Sequence, residues 1–221
     1  MREIFDLIAQ PVLETILMVI ASTTIAGLFG GSIGLALYFM SNERLSEHSG
    51  QLSIVKKIAD RVINTLRSFP FVILMVLVLP LSRLIVGTSL GTVAAIVPLS
   101  IAAMPFVARI VESSLAEIDG GILDAALSSG ATKARILFAI LVPEALPSLI
   151  AGLTLTMINL VGYSAMAGVI GGGGLGDLAI RYGYQRFRTD IMIASVLSII
   201  LLVEGIQMTG NRITRNLKLK R

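Results

Sequence analysis

The chain contains no cysteine and no tryptophan, and only one histidine, His48, in 221 residues. Without cysteine there are no disulfides, no thiolate chemistry and no cysteine-based metal site. His48 lies in a polar stretch, where the expectation for a lone histidine is solvation. Charge is scarce as well. Asp, Glu, Lys and Arg make up 14% of the chain, against about 25% in a soluble domain. Basic patches interleaved with aromatics are missing, so the net charge of +4 is first a matter of loop topology, and no nucleic-acid partner is expected. The pattern holds no nucleophile–base pair and no cluster of metal ligands, so no catalytic, cofactor-binding or metal-binding residue is expected.

What the sequence has instead is apolar length. Hydrophobic residues account for 55% of it, with a mean hydropathy of +0.87. A helix needs about 20 apolar residues to cross the hydrocarbon core. Stretches meeting that need lie at approximately 12–40, 58–82, 91–110, 145–168 and 191–209. The fold class expected is therefore an all-α integral membrane protein with five transmembrane helices per subunit, residues 1–221 forming one domain. A retained first span is expected rather than a cleavable signal: Arg2, Glu3 and Asp6 mix the N-terminal charge, and the apolar run is too long for an h-region.

Glycine and proline mark the details. Gly27/Gly31 and Gly30/Gly34 form overlapping GxxxG pairs in the first span, suited to internal helix packing. The second span holds Pro70 and Pro80 and borrows length from Ile58 to Leu66, its arginines snorkelling to the interface. Gly87 to Gly91 turns the chain, and Pro98 and Pro105 bend the third span. The fourth ends near Ala167, because the run Gly171 to Gly174 costs roughly 1 kcal/mol per glycine in a helix. Gly171, Gly173 and Gly176 satisfy GxGxxG, but an apolar helix precedes them, and Asp177 stands where a phosphate loop needs lysine. A compact extracytoplasmic turn is expected there, followed by an interfacial cluster of Tyr182, Tyr184 and Phe187.

Lys and Arg set the orientation. One side collects Arg44, Lys56, Lys57, Arg61 and Arg67, then Arg109, Lys133 and Arg135, then Arg212, Arg215, Lys218, Lys220 and Arg221. The other has Arg2, Arg83, Arg181, Arg186 and Arg188. Positive-inside puts the N-terminus outside and the C-terminus in the cytoplasm, together with the segment 119–143.

That segment is polar and helix-forming between two apolar runs, and longer than a reconnecting loop requires. Asp119 can cap a helix in which Ile122, Leu123, Ala126 and Leu127 share a face. Ala125 and Ala126 keep part of its surface low. Gly130 breaks it, and Thr132 caps a second helix from Lys133 to about Leu141, ending before Pro143. Asp124-Ala125-Ala126, three residues, Gly130, nine residues, then Ile140-Leu141-Val142-Pro143 resembles the E-A-A, G, I-x-L-P pattern of permease subunits of ATP-driven (ABC) importers. Asp124 for Glu and Val142 for Leu depart from it. Pro143 to Pro147, Leu160 to Gly168 and Gly171 to Phe187 are similar, within that family, to methionine importer permeases.

The resemblance implies a type I ABC importer permease fold in a bacterial plasma (inner) membrane, with a cytoplasmic coupling-helix hairpin. It implies a homodimer with a second permease copy, two cytoplasmic ABC ATPase subunits, an extracytoplasmic methionine-binding protein and surrounding membrane lipid. ATP and magnesium belong to the partner ATPase, so the chain itself is no enzyme. Ile122, Leu123, Asp124, Ala125, Ala126, Leu127, Gly130 and Pro143 are the implied ATPase-coupling residues. Ala126→Arg or Gly130→Pro is expected to uncouple hydrolysis from transport.

On the fourth span Thr156, Asn159 and Tyr163 recur at i, i+3 and i+7, with Met157 and Met166 nearby, as a candidate translocation path. Helix-to-helix hydrogen bonding is the other reading of Asn159. Glu204, in the fifth span, is either a functional acid or paired with a tail base. A permease for another small amino acid and a stand-alone secondary transporter are the alternatives.

Overall fold

The computed structural model describes residues 2–42, 44–45 and 51–219, with side chains omitted at 2–6 and 51–53. His48, Lys220 and Arg221 lie outside the described residues, which form helices and turns only. Four helices are long and apolar enough to cross a membrane, or five if one bent pair counts as a span.

The first helix, α1 (Arg2–Ser41), is 40 residues long. At 1.5 Å per residue it measures about 60 Å, twice the hydrocarbon thickness. It packs along α4 (Thr92–Ala116), which carries Pro98 and Pro105. Two glycines make the contact close. A methyl group on Gly30 or Gly34 would overlap the backbone carbonyls of Met104 and Ala108. Ser22 adds a hydrogen bond to the Ile96 carbonyl at 3.3 Å. The second glycine pair behaves differently: Gly27 and Gly31 face open space.

Residues 58–82 do not form a single straight helix. α2 (Gln51–Ser68) and α3 (Phe71–Val86) meet at 107°. Pro70 causes the break. It lacks an N–H, its φ is −60° and ψ 124°, and it biases Phe69 away from the helical region. Ile58 to Leu66 therefore lengthen α2 rather than the crossing. α3, 16 residues long, reaches only about 24 Å and counts as a span only together with α2. Gly87, at φ 85°, closes it by donating to Arg83 O. Ile63 of α2 is buried with Leu37 and Ala108, so α2 lies against the ends of α1 and α4.

After α5 (Gly120–Ser128) the chain re-enters through α6 (Lys133–Arg135) and a π-helical turn, Ile136–Leu141, continuous with α7 (Val142–Val169). The expected end before Pro143 is absent, and one apolar helix runs from Lys133 to Val169. The π turn explains the difference. Pro143 cannot donate and its ring crowds the carbonyl four residues back. The widened turn just before it, in which Val142 N–H bonds Leu137 O, takes up that misfit. With no second, separate helix, the segment is one short helix and a turn leading into a span.

α7 ends at Val169, and Gly171 (φ 85°) and Gly173 (φ 76°) turn the chain back into α8 (Gly174–Leu178), every residue of which is buried. Gly168 and Gly176 leave no room for a methyl group between α7 and α8. A second π-helical turn, Ala179–Tyr184, leads to α9 (Thr189–Leu219). Tyr184 and Phe187 are exposed there, and Arg186 sits 4.4 Å over the Tyr182 ring.

The α1–α4 contact gives a direct test. Gly34→Leu forces two backbones apart, and overpacking of this kind costs about 1–3 kcal/mol or more. Gly27→Leu meets nothing within 4 Å. Gly34→Leu is expected to lower the thermal midpoint and yield of detergent-purified protein, with Gly27→Leu close to wild type. Equal behaviour of the two variants contradicts this packing.

Candidate functional site: the α5 segment and the polar groups of α7

Asp119 caps α5, its carboxylate accepting from the Gly121 N–H at 2.7 Å. The helix ends at a reversal in which Gly130 holds φ 73°, a conformation glycine adopts without penalty. Thr132 then caps the next turn, accepting from the Arg135 N–H at 3.4 Å. The caps and the breaker stand where the sequence requires them.

The shared face divides. Leu123 and Ala126 are buried, in one cluster with Tyr38, Leu115, Ile136, Leu141 and Ala145. They weld α5 to the ends of α1, α4 and α7. Leu127 is half-buried, whereas Ile122 and Ala125 point outward. The surface available for docking is therefore Ile122, Ala125 and the exposed ends of their neighbours, and Ala126 belongs to the interior. Pro143 is exposed where α7 begins.

Asp124 has a partner within the chain. Arg44, in the link after α1, bonds the Asp124 carboxylate at 2.7 Å and the Gly120 carbonyl at 3.2 Å. Both side chains remain about half exposed, so the pair contributes orientation more than stability. Sequence reasoning missed Arg44, because nothing in a segment 80 residues away marks it as a neighbour. A cleft of about 530 Å³ opens beside the pair, lined by Tyr38, Asn42, Arg44, Glu112 and Asp119 among others.

Behind it lies an ionic cluster that also escaped the sequence. Lys56 bonds Asp60 at 2.9 Å and Glu112 at 3.3 Å. Arg109 forms ion pairs with Asp60 at 2.8 Å and with Glu112 at 2.5 Å. Two cations and two anions balance, with only 13–26% of each side chain exposed. Burial pushes the Asp60 carboxyl up. The hydrogen bonds and charges of Lys56 and Arg109 outweigh that and hold it below the usual carboxylate range. Removing one member would strand a partly buried charge. The cluster thus ties α2 to the end of α4 that leads into α5.

The candidate path residues on α7 do not share one face. Three residues correspond to about 300° of turn, leaving Asn159 roughly 60° from Thr156. That angle separates them. Thr156 is buried, its hydroxyl donating to Gly152 O at 3.0 Å. Tyr163 stacks on Phe71, with centroids 4.4 Å apart and planes 7° from parallel. Met157 is half-buried beside Leu153, Leu202 and Ile206, in an apolar groove of about 500 Å³ between α7 and α9. Asn159 and Met166 are exposed, on a stripe with Leu155 and Gly162. Glu204 is exposed on α9, between Leu201 and Met208, on the side away from α7.

At the far end of the bundle Glu14 accepts from the Gly174 N–H at 2.7 Å, and Thr15 from Leu175 N–H at 3.0 Å. Asp177 pairs with Arg181. The Gly91 N–H donates to the Gly171 carbonyl at 2.8 Å. The glycine turn is thereby fastened to α1 and to the α3–α4 connection.

Comparison with known proteins agrees with this architecture. Residues 45–217 match the family described as the binding-protein-dependent transport system inner membrane component. A probable D-methionine transport system permease protein of Vibrio cholerae is 44% identical over 210 residues, covering 95% of this chain and 92% of that protein. The methionine import system permease protein of Bacillus subtilis is 44% identical over 164 residues, 74% of each chain. A chain of the inward-facing MetNI methionine ABC transporter superposes with a TM-score of 0.91 at 39% identity, covering 98% of this chain and 99% of that one. With a match over most of its length and relatives this similar, the chain belongs to the inner membrane components of binding-protein-dependent transport systems.

Proposed function

We propose that this chain is the membrane-spanning permease of an ATP-driven importer of methionine, in its L form, its D form or both. The observation that carries the reading is α5: a capped helix with the family's Asp-Ala-Ala and Gly spacing, welded by Leu123 and Ala126 to three membrane helices and open at Ile122 and Ala125. Relatives named for methionine transport supply the substrate. In this reading two permease copies form the path, with the N-terminus outside and the C-terminus cytoplasmic. Two ATPase subunits hold ATP and magnesium and take up α5. An extracytoplasmic binding protein delivers the substrate. Closure of the ATPase pair displaces α5, and the buried contacts pass that displacement to α4 and α7. ATP can shift the inward–outward equilibrium only by its different affinity for the two states.

Uptake of labelled amino acids into proteoliposomes containing the complex tests the reading. Methionine uptake should require ATP inside and the binding protein outside. Uptake driven by an ion gradient alone marks a secondary transporter, and preference for another amino acid removes the substrate assignment.

Surface substitutions test coupling. Ala125→Arg sits on the exposed side of α5, so insertion and yield should persist while ATP-driven uptake falls at least tenfold. Ala126→Arg places a cation in the interior and should cost folded protein, which makes it the poorer probe. Gly130→Pro is similarly unsuitable, because proline cannot adopt φ 73°. Wild-type uptake by Ala125→Arg contradicts docking through this face.

Asn159→Leu separates the two roles for the exposed amide. A path residue should lose uptake per assembled complex. Reduced assembly with unchanged uptake per complex assigns Asn159 to helix association.

A further inference from the structure

α2 leaves the bundle at 107° to α3 and presents three different sides. Its inner side is occupied: Ile63 and Ala59 meet Leu37 and Ala108, Lys56 and Asp60 join Arg109 and Glu112, and Arg67 lies 5.2 Å over the Phe106 ring. A second side exposes Ile54, Val55, Ile58, Val62 and Leu66, each 39–62% accessible. These recur at three- and four-residue steps, forming one stripe. Lys57 and Arg61, spaced i,i+4, border that stripe. Both are exposed, and neither has an ion-pair partner among the described residues.

We propose that α2 is an in-plane membrane anchor, lying at the bilayer interface and holding anionic lipid headgroups at Lys57 and Arg61. An apolar stripe edged by cations matches an interfacial helix, which seats its apolar side about 5–10 Å into the headgroup and acyl boundary. The cations then stand at phosphate level, where each contributes attraction to an anionic surface. The Pro70 break makes this possible, since α2 stacked end to end on α3 would stand upright and lift its stripe out of the boundary. Charge selects lipid over a second copy of the chain. The only acidic side chain of α2, Asp60, is engaged on its inner side, so a second copy meeting this stripe through its own stripe would bring Lys57 and Arg61 no counter-charge, whereas an anionic headgroup does. The inner side of α2 grips α4 through the ionic cluster, so the lipid contact also holds the end of α4 that leads into α5. The inference rests on the chain crossing a bilayer and is independent of methionine as the substrate.

The absence of tryptophan provides the test. Ile58→Trp places a reporter in the stripe, and the wild-type preparation supplies the blank. The full chain, purified with its accompanying subunits, is reconstituted in vesicles containing brominated phosphatidylcholine or brominated phosphatidylglycerol at equal mole fraction. Both lipids should quench the tryptophan. The anionic one should be preferred on the order of fivefold for each cation, and Lys57→Gln with Arg61→Gln should bring the preference towards unity. No quenching by either lipid shows that protein covers the stripe and overturns the proposal. Equal quenching by the two lipids, or a preference that survives the double substitution, overturns the assignment of the headgroup site.

Discussion

The structure depends on how closely α1 and α4 approach. Gly30 and Gly34 remove the side chains that would hold the two backbones apart, and in a membrane such approach supplies the packing that hydrophobicity alone does not. Other parts of the bundle take their places from that seam. Leu99, Ala103 and Val107 of α4 share a core with Met18 and Ala26 of α1 and Leu160 and Val161 of α7. Because α1 lies so near, its last turn delivers Tyr38 to the cluster beneath α5 and brings Arg44 within reach of Asp124.

The α5 segment is therefore not a loop resting on the bundle. Its two inward side chains are common to the same apolar cluster as the ends of three long helices. A close-packed cluster transmits displacement rather than absorbing it. The ion cluster of Lys56, Asp60, Arg109 and Glu112 does the corresponding task for α2, with ion pairs in place of packing. Among the described residues, α9 has no place in either cluster and packs mainly on α7.

Features set by local chemistry were legible in the sequence. Asp119, Gly130 and Thr132 are cap and breaker positions whose geometry follows from a few neighbouring residues. The long apolar helices and the family relationship followed from composition and motif spacing. Direction was harder. That Pro70 divides a helix at 107° while Pro143 sits within one depends on the turn ahead of each, and a π turn leaves no sequence signature. Helical spacing grouped Thr156 with Asn159, but about 60° of rotation decides which of them is buried, and the neighbours that decide it come from distant parts of the chain. Arg44 was invisible for the same reason. Of the two glycine pairs, spacing could not tell that only one meets α4.

The glycine turn after α7 has a mechanical consequence. Hydrogen bonds from Gly91 to Gly171, and from Gly174 and Leu175 to Glu14 and Thr15, fasten the α7–α8 turn to the start of α4 and to α1 about a third of the way along it, at one rim of the bundle. The opposite rim, beneath α5, is held by side-chain packing and ion pairs. One rim is thus held by hydrogen bonds from backbone N–H groups and the other by close-packed side chains, so the two ends of the bundle are fixed by different means. The two rims therefore differ in chemistry: one is loosened by losing a hydrogen bond to backbone, the other by losing a packed side chain or a charge.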